Sequence, residues 1–280
     1  MLYRLLAGVI LMLLATSAHA QKVGIGAWEN PALTMLEWVE RGERLGWYYN
    51  WRSDQIHHRG NLQRSVEFVP MIHGAKNVND RIRSDLPVRA LLGFNEPDGK
   101  AQGQTNITVE KAVALWPKLQ AHGLRLGSPA TTREGTLGKN SWQRRFMDQV
   151  AARGLRVDFM AVHYYSPDGD VATFERWLRT VHAEYRRPIW VTEFGMVDWS
   201  NPGKTTRAQN AAFAMAAIQM MERLPFVERH AWFAANPYSW GGSTIQTNLV
   251  DNDLNTTVVG AAFERIAARL GGMRLADARE

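Results

Sequence analysis

Eight short apolar runs recur in order along the chain, at residues 23–27, 47–50, 68–72, 90–94, 125–128, 159–163, 189–192 and 230–233. Each is followed by a polar or aromatic loop and then by a stretch of helical spacing. Runs that are apolar almost throughout predict strands buried on both faces of a parallel sheet, because half-exposed strands alternate. Leu33, Leu36 and Leu45 mark a first helix and Val78, Ile82 and Leu86 a third. Trp142, Phe146 and Val150 recur every fourth residue, as do Phe174 and Leu178 with Val181 following. Residues 211–221 are rich in helix formers, and a last helix over 258–270 is expected to stop at Gly271-Gly272. The second repeat, 51–64, has little periodicity and reads as loop. Pro117 predicts a break in the fourth helix after Trp116. Eight strand-then-helix units predict an α/β fold, a single (β/α)₈ TIM barrel over residues 21–280. A doubly wound open sheet is the alternative.

The N-terminus stands outside this pattern. Arg4, an apolar run over 5–15 and the small-x-small pattern Ala18-His19-Ala20 have the form of a signal peptide over residues 1–20. The run is short for a membrane span, so an uncleaved anchor is the lesser alternative. A secreted or periplasmic protein without stable membrane insertion is expected. No cysteine is present, which excludes thiol catalysis and thiolate metal sites and leaves the core to hold the fold. The net charge of +6 comes from scattered basic residues, without the concentrated stripe of a nucleic-acid binder. Neither a metal-ligand cluster nor a phosphate loop occurs, so cofactor-free chemistry in a monomer is expected.

Two glutamates each close an apolar run. Glu96 ends Leu91-Leu92-Gly93-Phe94-Asn95-Glu96, and Glu193 ends Ile189-Trp190-Val191-Thr192-Glu193. A carboxylate at the end of a buried strand is expensive to place unless chemistry requires it. Strands four and seven lie across the mouth of an eight-stranded barrel, where two carboxylates can flank a scissile glycosidic bond. One would protonate the departing oxygen while the other attacks the anomeric carbon.

The strings around these residues make a resemblance specific. GWYYNW at 46–51, EFVPMIHG at 67–74, LLGFNEPD at 91–98, VDFMAVHYY at 157–165 and PIWVTEFG at 188–195 resemble glycoside hydrolase family 128. Length and strand order agree with that family of compact (β/α)₈ barrels. The resemblance implies a retaining β-1,3-glucanase in which Glu96 is the general acid/base and Glu193 the nucleophile. It further implies that Asn95 bonds near the nucleophile and the sugar 2-hydroxyl, and that the partner is a β-1,3-glucan polysaccharide or oligosaccharide.

Aromatic residues add independent support for a sugar substrate, since flat rings stack on the apolar faces of pyranoses. Trp28, Tyr48, Trp51, Tyr164, Tyr165, Trp199, Trp232, Tyr238 and Trp240 fall at or beyond strand ends. Trp51, Tyr164 and Trp232 are the foremost substrate-binding candidates, with Trp28, Asn50, His73 and His163 beside them. Tyr164 is also expected to donate its hydroxyl to Glu193. Trp116, Trp142, Trp177 and Trp190 are assigned to the core. His57-His58 reads as solvated, and Gly24-Ile25-Gly26 lacks the third glycine of a dinucleotide fingerprint. Two other readings stay open: the same machinery acting on an anionic envelope polysaccharide, and a barrel that binds carbohydrate without cleaving it.

Overall fold

The computed structural model describes residues 22–41, 45–58 and 60–277, and the side chains of 271–277 are left aside. The signal-peptide reading therefore lies outside the described residues. All eight predicted runs contain strand: β1 (Val23–Gly26), β2 (Trp47–Tyr49), β3 (Glu67–Phe68), β4 (Ala90–Leu91), β5 (Arg125–Leu126), β6 (Met160–Ser166), β7 (Ile189–Met196) and β8 (Val227–Trp232). Six of them form one parallel sheet in the order β3-β2-β1-β8-β7-β6, and β4 pairs with β5. Single parallel bridges span the two seams, Met71 to Leu92 and Gly127 to Phe159. Neighbours thus run from β1 round to β8 and back to β1, the order of a (β/α)₈ barrel.

Two apolar cores follow from the pleat, which sends successive side chains to opposite faces. Inside the barrel lie Trp47, Tyr49, Met71, Leu92, Phe159 and Trp190, with Phe159 stacked on Trp190 at 4.1 Å between ring centroids. Arg229 closes the lower end, over Trp190 and paired with Glu67 at 2.7 Å. The larger core fills the space between strands and helices. Gly24 and Gly26 face inward in β1, where an added Cβ would collide with the rings of Trp47 and Trp51. The Gly-Ile-Gly string thus makes room for two indoles.

The helices are α1 (Met35–Val39), α2 (Val109–Gln120), α3 (Arg133–Thr136), α4 (Trp142–Ala152), α5 (Val171–Tyr185), α6 (Arg207–Glu222) and α7 (Val258–Asp277). Three expectations about the helices are corrected. No α-helix forms over Val78, Ile82 and Leu86: only a 3-10 turn, Ala75–Asn77, precedes them. The turn-forming residues Asp80, Ser84, Asp85 and Pro87 interrupt that spacing, and the backbone pairs with the loop after β2 through Arg83 N to Ser53 O. Pro117 does not break α2. It sits in the last turns of the helix, whose buried face of Val113, Trp116 and Leu119 outweighs one missing N–H. Likewise α7 runs through Gly271-Gly272, since glycine weakens a helix without stopping it when helix formers such as Met273 and Leu275 follow. A hairpin of β9 (Tyr238–Trp240) and β10 (Ser243–Ile245) rises beyond β8. His58, expected in solvent, instead pairs with Glu37 at 2.9 Å.

Candidate active site

The site lies beyond the C-terminal ends of the strands, in a cavity of about 880 Å³. Glu96 and Glu193 both line it, brought together by breaks in strand alternation. In β7, Trp190 points into the barrel, so strict alternation would send position 192 inward and 193 outward. The register with β6 instead jumps from Val162–Val191 to His163–Glu193, leaving Thr192 unpaired. This bulge turns Glu193 toward the cavity. In β4, alternation from Ala90 and Leu92 would carry Phe94 inward, yet Phe94 packs in the outer core against Trp116. The chain then enters Glu96 with a left-handed φ of 37°, a conformation that non-glycine residues rarely adopt. Trp51, at φ 59°, is the second such residue in the site. Strain of this kind persists only where surrounding contacts impose it, and it clusters at functional sites.

An oxygen of Glu96, an oxygen of Glu193 and a ring nitrogen of His163 lie within 4.8 Å of one another. His163 is buried between the carboxylates, with Nδ1 3.0 Å from Glu96 Oε1 and Nε2 3.5 Å from Glu193 Oε1. Glu193 accepts from Tyr165 Oη at 2.5 Å, Trp51 Nε1 at 2.9 Å and Tyr49 Oη at 3.3 Å. Glu96 accepts on Oε2 from Gln104 Nε2 at 2.9 Å.

These contacts set the charges. Burial pushes the Glu193 carboxyl up; His163 pulls it back and the charge of Glu96 adds to the rise. For Glu96 burial also opposes ionisation, but the bonds from His163 and Gln104 outweigh it and hold the carboxyl below its ordinary value. Burial works against a charged His163 ring, and the two glutamates overcome it. Burial and the charge of Glu193 keep Tyr49 and Tyr165 far above the usual phenol range, so both remain protonated donors.

Of the residues predicted from sequence, Trp28, Trp51, His73, Asn95, Glu96 and Glu193 line the cavity, and His163 lies between the two carboxylates. Asn95 Nδ2 donates to Gly103 O at 3.1 Å, and its Oδ1 has no hydrogen-bond partner among the described residues. Three substrate-binding candidates are corrected. Tyr164 faces outward, stacked on Phe174 at 4.0 Å, because alternation along β6 sends His163 and Tyr165 inward. Trp232 faces outward opposite to Ala231; it is buried against Phe194, and its N–H donates to Thr247 O. Asn50 is buried in a turn and bonds Asp54 O and Arg52 N. The hydroxyl expected from Tyr164 comes from Tyr165. Tyr48 also turns outward, and Tyr49 takes the inward place. Tyr49 was legible in the spacing of Trp47, Tyr49 and Trp51, which share one face of β2 and the turn after it. Gln104 carried no sequence signal.

Tyr165→Phe is expected to lower kcat by roughly 10- to 100-fold, the loss of one hydrogen bond to a charged group. Tyr164→Phe should leave kcat within about twofold, since that ring packs in the outer core. Steady-state kinetics on the two variants would check the inward and outward assignment.

The glycosyl hydrolase catalytic core family matches residues 26–263. A mutant form of an endo-beta-1,3-glucanase of family 128, subgroup I, from Amycolatopsis mediterranei, solved with laminarihexaose, is 35% identical. The alignment covers 88% of this chain and 99% of that one, with a TM-score of 0.73. This chain belongs to glycoside hydrolase family 128. A family 128 subgroup VII oligosaccharide-binding protein from Trichoderma gamsii shares the fold at 21% identity and a TM-score of 0.69, covering 90% of this chain and 95% of its own. Alkali-sensitive linkage protein 1 of Schizosaccharomyces pombe is 28% identical over 227 residues, which are 78% of this chain. The chain spans 40% of the length of that curated relative. Among the described residues no helix is long and apolar enough to cross a membrane.

Proposed function

We propose that this family 128 member is a secreted, retaining β-1,3-glucanase acting by double displacement. The observation that carries the reading is the closeness of Glu96 and Glu193, with oxygens inside 4.8 Å. Retaining enzymes hold their carboxyl groups about 5–5.5 Å apart, whereas inverting enzymes leave room for a water at about 6.5–9.5 Å. In the first step an oxygen of Glu193 bonds to the anomeric carbon while the glycosidic C–O bond breaks. The departing oxygen takes the proton of Glu96. In the second step Glu96 removes a proton from water as that water's oxygen attacks the same carbon, and the ester to Glu193 breaks. No co-reactant beyond water is needed.

At rest the proton is distributed against these roles, since Glu96 is shifted down and Glu193 up, and neighbouring groups supply the redistribution. Donors from Tyr165, Trp51 and Tyr49 meet Glu193 and favour the ionised form a nucleophile needs. His163 bonds Glu96 and can pass it the proton that general acid catalysis requires. Trp28, Trp51, Trp199, Phe233, Tyr238 and Trp240 supply flat faces for pyranose rings.

The charge of the cavity favours a neutral glucan over an anionic polymer. Glu96, Glu134, Glu193 and Asp198 line it against one arginine, Arg133, which is already paired with Glu134 at 3.0 Å. A uronate chain would meet like charge there, even though the whole chain is basic. Release of new reducing ends from linear β-1,3-glucan, with none from cellulose or a uronate polymer, is the expected result. Cleavage of the uronate polymer alone would overturn the substrate. Binding of laminarin oligosaccharides with no new reducing ends would make the barrel a binding protein.

A further inference from the structure

Gln104 has no place in the two steps above, yet it makes the second of the two hydrogen bonds that the Glu96 carboxylate accepts among the described residues. His163 Nδ1 lies on Oε1 and Gln104 Nε2 on Oε2, at 3.0 and 2.9 Å. The Gln104 amide is itself fixed in orientation, because its Oε1 accepts from Ala101 N at 2.8 Å. That bond fixes which end of the amide faces Glu96: the end that donates. The loop carrying it is tied back to the strand end by Asn95 Nδ2 to Gly103 O and by Thr105 Oγ1 to Asn95 O at 2.6 Å.

A second observation shows how the amide is accommodated. Gly99 has no positive φ, so its backbone does not require glycine. An added Cβ there would collide with the carbonyl oxygen, the carbon and the nitrogen of the Gln104 amide. The missing side chain is the space in which that amide sits.

We propose that Gln104, seated over Gly99, is a positioning residue that holds the Glu96 carboxylate in place and sets the pH at which it gives up its proton. The inference rests on Glu96 being the general acid/base. An N–H donor on a carboxylate oxygen favours the ionised form. It therefore helps Glu96 act as base toward water in the second step and limits how far into alkaline pH it can serve as acid. Fixing the carboxylate also holds it against the glycosidic oxygen, where small displacements slow the reaction. The other titratable groups facing Glu96 are His163 and Tyr165 from β6, Glu193 from β7 and Tyr49 from β2. Tyr238 reaches it from β9, and Asp98 of its own loop acts on His163. His73 lines the same cavity from the loop after β3, Arg133 and Glu134 from α3, and Asp198 from the loop after β7. Among the described residues, none of these except His163 donates a hydrogen bond to Glu96.

The test is the pH dependence of kcat/KM on a soluble β-1,3-glucan for the wild-type chain, Gln104→Met, Gly99→Ala and the double variant. Methionine keeps the length of glutamine and removes the donor. Alanine at 99 leaves glutamine in the chain and displaces its amide. Each single variant is expected to move the alkaline limb upward by about one pH unit, the worth of one bond to a charged group. Each should also lower kcat at the optimum by roughly tenfold. The double variant should match Gln104→Met, because both changes remove the same bond. A limb that stays at the wild-type pH in both folded single variants, checked by circular dichroism, would overturn the proposal, even if kcat falls. Glu96→Gln separates the two layers. If that variant keeps the alkaline limb on a substrate with a good leaving group, the acid lies elsewhere and the underlying reading fails. If it loses the limb while Gln104→Met and Gly99→Ala keep the wild-type one, only the role of Gln104 fails.

Discussion

Glu193→Gln is expected to lower kcat on linear β-1,3-glucan by a factor on the order of 10⁴ to 10⁶, the loss typical of a covalent nucleophile. The same variant is expected to melt at a higher temperature than the wild-type chain at pH 7. Both outcomes come from one arrangement. Glu193 is buried beside a second carboxylate, and its pKa is raised in the folded state. A carboxyl that holds its proton more tightly when folded makes a contribution to stability that is fully present below its unfolded pKa and declines from there toward its folded pKa. It is lost once the pH has risen through the folded pKa, because the folded state must then carry a buried charge. Glutamine removes the charge and keeps an oxygen that can accept from Trp51 and Tyr49, while its amide nitrogen can donate to Tyr165 Oη. A gain of a few degrees would mark a residue placed for chemistry at the expense of stability. Thermal melts and steady-state kinetics on one preparation read both effects. A variant that is less stable and still turns over would show that Glu193 is an ordinary structural carboxylate.

Glu96→Gln is expected to behave differently with different leaving groups. On a β-1,3-glucan the departing sugar hydroxyl needs a proton, and the loss should reach about 10² to 10⁴ in kcat. With a dinitrophenyl glycoside the leaving group needs no proton. Formation of the glycosyl-enzyme should then stay near the wild-type rate, and its hydrolysis should become slow. Added azide, which needs no base, should speed turnover and give the β-glycosyl azide. The corresponding test on Glu193→Ala should give the α-glycosyl azide, because azide then takes the place of the missing nucleophile. Equal losses on both leaving groups for Glu96→Gln would remove it from the acid/base role.

Much of this was legible in the sequence. The eight apolar runs placed all eight strands, and Glu96 and Glu193 stood out because each ends a buried run. What failed was parity. Tyr164 and Tyr165 are adjacent and alike in composition, and only the inward direction of His163 decides between them. Trp232 sits at a strand end, as a subsite residue would, but on the outward side of Ala231. The bulge at Thr192 and the break in alternation between Leu92 and Phe94 lie in the catalytic strands themselves, and neither has a signature in a single sequence. Gln104 was illegible for another reason. Its contact with Glu96 depends on a loop conformation and on the absence of a side chain at Gly99, and a glutamine in a polar loop carries no periodicity. Missing helix three shows the same limit, since Val78, Ile82 and Leu86 have helical spacing although Asp80, Ser84 and Pro87 favour turns.

The central claim is that Glu193 attacks a β-1,3-linked glucose unit and is covalently bound to it between the two steps. Incubation with a 2-deoxy-2-fluoro laminaribiosyl fluoride, followed by mass mapping of the peptides, tests it most directly. The fluorine slows the second step more than the fluoride leaving group slows the first, so the intermediate accumulates. One glycosyl group on Glu193, released on dilution with recovery of activity, is the predicted result. A label on any other residue, or no label while β-1,3-glucan is cleaved to give the α-anomer first, would contradict it.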